Sequence, residues 1–333
     1  MRVQHLALSL SLLASAASAA DWHPLVDERT QQVNDRVIEL RHHFHANPEL
    51  SNQEFKTAEK IAAELSALGF DEVQTGVAGT GVIGILKGAM PGPTVALRAD
   101  MDALPVTEKT GLPFASTVTA DWRGKETGVM HACGHDAHMA ILLGAAEVLA
   151  GMRDQIPGTI KFVFQPAEEA EGGADVMVAD GVLSDTGAIF GLHVLPAPAG
   201  MIMYKPEGFM AAADTFHVTV KGVQTHGSMP WKGVDPIAVS AQIVNNLQTI
   251  VSRQIDISNA PAVVSVGSIS GGNRNNIIPE EVVMTGTIRT LDMAMRADVH
   301  ERIKRTVELT AESFGATAEV TIPDGVPVTA NDV

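Results

Sequence analysis

Apolar residues recur at helical spacing over residues 27–45, where Val33, Val37, Ile38 and Phe44 share a face and Asn47-Pro48 closes the run. A second amphipathic helix is expected over 54–68, with Gly69 just past its end in the position that favours a left-handed backbone. Short apolar runs then appear at 81–86, 94–98, 159–164 and 188–192, the pattern of strands buried in a mainly parallel sheet. The Pro and Gly residues of 90–93 predict a turn between the first two runs. An alanine- and leucine-rich helix is expected over 137–150. Strands alternating with helices predict an α/β core. Beyond the Pro-Ala-Pro-Ala-Gly stretch at 196–200 the rhythm changes. A strand at 216–221, a helix at 236–253, strands at 262–269 and 282–289, a helix at 296–314 and a strand at 317–322 give the order β-α-β-β-α-β. That order is the split βαβ sandwich, so a second, smaller domain is expected there.

The first twenty residues read differently. Arg2 and His5 precede an apolar run over 6–13, followed by alternating Ala and Ser, which is the form of an export signal cleaved near Ala19 or Ala20. The run is too short to span a bilayer, and no later segment looks transmembrane. A periplasmic or secreted location is therefore expected. The remaining chain is ample for two domains in a protein of 333 residues, with an ordinary 45% apolar and 19% charged composition. A formal charge of −16 and the lack of a basic stripe argue against a nucleic-acid partner.

Candidate chemistry is concentrated at 130–138 (MHACGHDAH), which packs three histidines, an aspartate and the chain's single cysteine into nine residues. One cysteine forms no intramolecular disulfide, and imidazole, thiolate and carboxylate together suit zinc, manganese or a similar first-row ion. On its own the segment reads equally as a small buried cysteine beside surface histidines. Glu168 and Glu169 follow a predicted strand and a proline; they read as solvated charge, or as one metal-binding carboxylate beside one proton acceptor. Adjacent residues of an extended backbone point to opposite sides, which suits two tasks. His193 ends an apolar strand, as a core histidine or as a ligand. Asp100 and Asp102 lie just past a strand end, where they cap a helix or orient a ligand. The Gly79-x-Gly81-x-x-Gly84 pattern is no dinucleotide site, because Gly88 and residues 90–93 leave no room for the helix that must receive the pyrophosphate. Neither a G-x-S-x-G elbow nor a P-loop occurs. Polar clusters around His226, Asn276 and Arg289 look, unaided, like loops and strand ends.

Taken jointly, these motifs resemble the amidohydrolase family of aminoacylases, hippurate hydrolases and plant auxin-conjugate hydrolases, relatives of the metallo-carboxypeptidases. The resemblance runs from His42 to Leu50 through Ala96 to Pro105, Met130 to Asp136, Gln165 to Glu169 and Gly191 to His193, and on to Asn276 to Pro279 and Gly286 to Thr290. It implies an α/β, zinc-peptidase-like catalytic domain with a mainly parallel mixed sheet, plus an inserted βαββαβ ferredoxin-like dimerisation and lid domain. On that basis the chain divides into a signal peptide (1–20), a catalytic domain (21–204), a dimerisation domain (205–325) and the start of a return to the catalytic domain (326–333). The resemblance further implies two divalent metal ions, manganese or zinc with cobalt and nickel also compatible, held by Cys133, His135, Glu169 and His193. Glu168 becomes the general base, and His226 stabilises the oxyanion, across a homodimer. Asn276 and Arg289 bind a small N-acyl amino acid or amide; Thr225, Met229 and Trp231 are pocket candidates. The expected reaction is amide hydrolysis to an acid and an amine, with dipeptidase or carboxypeptidase activity, or an inactive metal-binding dimer, as the alternatives. Asp102 corresponds to the family's supporting aspartate, whereas Asp100 stands where a histidine is usual. The family's further C-terminal histidine ligand has no counterpart after His300, so weak metal binding and poor activity are expected of this length.

Overall fold

The computed structural model describes residues 22–170 and 172–333. The export signal read at 1–20 lies outside them. The described residues form two compact units, divided between Ala197 and Pro198.

In the first unit, α1 (His23–Ala46) and α2 (Phe55–Ala67) precede three strands, β1 (Glu72–Val77), β2 (Gly81–Lys87) and β3 (Met90–Asp100). A small hairpin, β4 (Thr119–Trp122) and β5 (Lys125–Gly128), leads to α3 (His135–Ala150), β6 (Pro157–Gln165), the short α4 (Ala174–Ala179) and β7 (Ala188–Gly191). The sheet order is β1-β2-β6-β3-β7. It is a mixed sheet: the β1/β2 and β2/β6 ladders are antiparallel, whereas β3 runs parallel to both β6 and β7. The mainly parallel sheet read from the sequence is thus parallel only on one side.

Burial explains the layering. Leu40 and Phe44 of α1, Ile61 and Leu65 of α2, and Met139 and Leu143 of α3 close over Leu86 and Phe162 of the sheet. Each such side chain contributes about 2 kcal/mol on leaving water. On the other face Ile83, Ala96 and Val163 meet Met177 of α4.

Two sequence expectations need correction. Residues 90–93 are not the turn; Met90 already pairs with Pro157 as part of β3, and the chain reverses at Gly88, whose N–H donates to Gly158 O. The ladder is irregular between Met90 and Thr94, which is how two prolines without N–H groups are tolerated in a strand. Strand β7 is not buried: it lies at the sheet edge, with Phe190 61% exposed. An apolar run reports the tendency to be covered, not the presence of a cover.

The second unit contains β8 (Glu207–Met210), β9 (Ala212–Lys221), β10 (Thr225–His226), α5 (Pro236–Thr249), β11 (Ala262–Gly271), β12 (Ile277–Ile278), β13 (Glu281–Thr290), α6 (Met293–Ser313), β14 (Thr317–Thr321) and β15 (Thr329–Asn331). Its main sheet is antiparallel, in the order β11-β13-β9-β14. Phe216 and Val218 of β9 alternate inward onto Ile243 and Leu247 of α5 and Ile303 and Val307 of α6. Both helices start on an aspartate: Asp235 accepts the N–H groups of Ile237 and Ala238, and Asp292 that of Met295. The helix expected over 236–253 instead ends at Thr249 and loosens into a π turn over Ile250–Gln254.

Asp214 anchors this unit. Its buried carboxylate accepts two hydrogen bonds from Arg296, at 2.9 and 2.6 Å, and lies 3.1 Å from His300 Nε2. Burial pushes its pKa up, but the bonds from Arg296 and His300 outweigh that, and the net direction is down. A carboxylate depressed in the folded state stabilises above its unfolded pKa, and that contribution fades as pH falls through the lower folded value. Asp214→Asn should therefore cost ~3 kcal/mol at neutral pH. The gap should close progressively in acid below about pH 4, as read by the denaturation midpoint of both proteins across pH.

Candidate metal centre

The parallel half of the sheet sets up the site. Asp100, last in β3, is in register with Gln165, last in β6, and Arg98 with Gly191, last in β7. Three strands therefore release their loops at one level, where open α/β sheets place their chemistry. Helix α3 starts beside them. Gly134, its N-cap, has a φ of 98°, and a Cβ there would lie 2.4 Å from Val194 Cγ2. Only glycine fits both demands.

Among the four residues proposed as ligands from sequence, Cys133, His135 and His193 converge, with one candidate ligand atom of each within 4.8 Å of the others. His135 is shared with a second such group, in which it meets Glu168 and Glu169. Cys133 Sγ is 3.3 Å from His193 Nε2. Burial pushes its thiol up to about 12, reinforced by Glu169, Glu168 and Asp100. His135 is wholly buried; its Nδ1 donates to the backbone oxygen of Asp102 at 2.7 Å, and its Nε2 has no hydrogen-bond partner among the described residues. Burial lowers its pKa, but the Asp102 and Asp100 carboxylates prevail and the imidazole is more basic than usual. A buried nitrogen lone pair left unpaired amid thiol, imidazole and carboxylates fits a divalent cation, since such a group is otherwise costly to bury.

The same segment contains side chains that turn elsewhere. His131 is 4% exposed and held down at about 4 by burial, and it belongs to none of the convergent groups. Asp136 faces His45 at 2.9 Å and Arg41 at 3.3 Å. Asp100, His135 and His138 also lie within 4.8 Å of one another, but both nitrogens of His138 are already engaged, with Asp100 and with the N–H of Val194.

The loop carrying the two glutamates is pinned from beneath. Asp102 accepts the N–H groups of Glu168 and Glu169, both at 3.0 Å, and the hydroxyl of Ser51 at 2.6 Å. Burial raises the Asp102 carboxyl; these donors and His135 outweigh it, and its pKa is lowered. Glu54, fully buried, accepts the N–H of Ala167 at 2.9 Å and the Thr80 hydroxyl at 2.6 Å. Ala167 sits at a φ of 47°, left-handed for a residue with a Cβ. Gly173 packs so closely that a Cβ would meet Pro166 O at 2.5 Å and Ala167 O at 2.6 Å. Sequence reading passed over Ser51 and Glu54, because a helix-start glutamate and a loop serine carry no periodic signal.

The remaining candidates lie in the second unit. His226 is exposed, its Nδ1 accepting the Ser228 N–H at 3.1 Å, and β10 pairs it with Ile277 next to Asn276. Gly227 N–H donates to Asn276 O, so His226 and Asn276 are neighbours. Arg289 is on β13, donating to Thr287 and to Ile288 O. Trp231 is 75% exposed; Thr225 Oγ1 donates to Met229 O.

Residues 96–332 match the model of peptidase family M20/M25/M40. The chain belongs to that family. It is a hydrolase, and the amidohydrolase resemblance read from the motifs is borne out. It is 42% identical to thermostable carboxypeptidase 2 of Saccharolobus solfataricus, over 91% of this chain and 76% of the relative. It is 44% identical to the N-acyl-L-amino acid amidohydrolase of Geobacillus stearothermophilus, over 89% of this chain and 76% of that enzyme. Among solved structures, a Bacillus subtilis dinuclear metal binding peptidase of the M20 family superposes with a TM-score of 0.78 at 38% identity, covering 91% of this chain and 77% of that one.

The pins on the loop can be tested separately from catalysis. Glu54→Ala strands two buried donors and should cost ~2 kcal/mol, with faster amide exchange at Ala167. Ala167→Gly relieves a left-handed alanine and should be neutral or stabilise by up to ~1 kcal/mol, as read by thermal denaturation.

Proposed function

We propose that this hydrolase is a metal-dependent amidohydrolase that cleaves N-acyl amino acids, or similar small amides, into a carboxylic acid and an amine. The observation that carries the reading is His135, whose Nε2 makes no hydrogen bond among the described residues and which is common to the Cys133–His193 group and the Glu168–Glu169 group. Cys133, His135, Glu169 and His193 would hold two divalent ions, manganese or zinc, with cobalt and nickel compatible with the same donors. When bound, such ions supply Lewis acidity.

The protein's own groups divide the remaining work. Glu168 is part-exposed, and burial together with Asp100 and Glu169 raises its pKa, so it is a stronger base than an ordinary carboxylate. It takes a proton from the attacking water and later delivers one to the departing amine. Asp102 holds the Glu168 and Glu169 amides, so the two carboxylates keep separate tasks. His226, whose Nδ1 is an acceptor, keeps Nε2–H free to donate to the developing oxyanion. Asn276 and Arg289 hold the substrate, Arg289 through its carboxylate.

The finer architecture belongs to the same proposal. The βαββαβ order and the 2-3-1-4 arrangement of the second unit's main strands support a ferredoxin-like domain, which we assign to dimerisation and to closing over the substrate. A homodimer would bring His226 of one copy to the centre of the other. The apolar segment at 6–13 supports export to the periplasm or the medium. No helix of the described residues is long and apolar enough to cross a membrane.

Carboxypeptidase activity is the second reading, favoured by the name of the Saccharolobus relative. A panel of N-acetyl and N-benzoyl amino acids against dipeptides and blocked peptides separates the two, and faster cleavage of the acyl amino acids is expected. In the metal-loaded chain, Glu168→Gln should lower kcat ~10²–10⁴-fold with metal content unchanged. Turnover close to that of the unmodified enzyme would remove Glu168 as the base.

A further inference from the structure

His138 looks, by sequence, like one more member of the ligand cluster; its hydrogen bonds give it a different task. It stands one turn past His135 on α3, 2% exposed. Its Nδ1 is 2.6 Å from Asp100 Oδ1. Asp100 is itself fully buried, and its other oxygen accepts from Arg98 at 2.8 Å. A carboxylate paired with a guanidinium is an acceptor only, so Nδ1 of His138 must carry the proton. Nε2 is then a lone pair, which is what the Val194 N–H, at 2.9 Å, requires. Both ring nitrogens are spent, and no lone pair remains for an ion.

The peptide unit that His138 grips adjoins a proposed ligand. The carbonyl of Val194 accepts from Nδ1 of His193 at 2.8 Å, so the tautomer of His193 is fixed as well, with Nε2 facing Cys133 Sγ at 3.3 Å. The two imidazoles meet nearly edge to face, 4.6 Å between centroids at 71°. Val194 is seated on the Cα of Gly134, where no Cβ could fit. A continuous chain thus runs from Arg98 and Asp100 through His138 and the Val194 backbone to His193.

We infer that His138 is a positioning residue that transmits the fixed Asp100 carboxylate to the Val194 backbone, thereby aiming the His193 imidazole, and binds no ion itself. The Asp100–His135–His138 group is then a strut, not a third cation position. The inference rests on the metal reading proposed above and adds to it how one ligand is held.

The test uses the full chain and Co²⁺ as the probe, with affinity from titration and the thiolate-to-cobalt charge-transfer absorption as readouts. His138→Asn retains a donor toward Asp100 but cannot reach Val194; His138→Gln places an acceptor near the Nε2 position. Removing such an outer partner of a ligand should weaken Co²⁺ binding ~10–100-fold in His138→Asn and dim the absorption. His138→Gln should recover most of both. Unchanged affinity and spectrum in His138→Asn, or no recovery in His138→Gln, overturns the inference while leaving the metal reading intact. An unmodified chain that takes up no Co²⁺ overturns the metal reading, and this inference with it. Should either variant fail to fold, histidine ¹⁵N NMR of the unmodified, Zn²⁺-loaded chain decides: a protonated Nδ1 and bare Nε2 on His138 are expected, and a metal-bound nitrogen there contradicts the assignment.

Discussion

The site depends on one buried side chain, Asp102. Its two carboxylate oxygens take the backbone N–H groups of Glu168 and Glu169 and the hydroxyl of Ser51, and its own carbonyl takes the Nδ1 proton of His135. One residue just past the end of β3 therefore fixes the loop after β6, the first turn of α3 and the segment ahead of α2. A charged group at 1% exposure survives there because both of its oxygens are hydrogen-bonded. Without those bonds the adjacent glutamates would have no reason to separate, and His135 no fixed tautomer.

The same logic recurs one layer away. Asp100 holds Arg98 and His138 as Asp102 holds the loop, and Glu54 caps the strained peptide at Ala167. Three buried carboxylates thus underlie the cluster of Cys133, His135, His193, Glu168 and Glu169. They differ in electrostatic outcome. Donors outweigh burial at Asp100 and Asp102, whose pKa values are lowered; burial prevails at Glu54, whose pKa is raised. The first two have a cationic or imidazole partner, and the third has only a hydroxyl and an amide.

Much of this was legible in the chain. Helical and strand periodicity located the principal elements of both units, and the crowding of unlike ligand types at 130–138 with Glu168, Glu169 and His193 marked side chains that the fold brings together. What periodicity could not give was direction. His135 and His138 are equivalent as sequence, and the carboxylate waiting at the end of β3 separates the spent imidazole from the one with an unpaired nitrogen. That carboxylate arrives through the register of Asp100 with Gln165, a pairing 65 residues apart in the chain. Residues 90–93 and β7 misled for a related reason: proline content and apolarity describe local preference, while the ladder with Pro157 and the edge position are properties of the assembled sheet.

The account stands on a cysteine and histidines meeting the same ions. X-ray absorption at the metal edge of the Zn²⁺-loaded chain measures this most directly. One sulfur scatterer at ~2.3 Å, together with nitrogen and oxygen neighbours, is the result it requires. A shell of nitrogen and oxygen alone, with Cys133 intact and unoxidised, would contradict it.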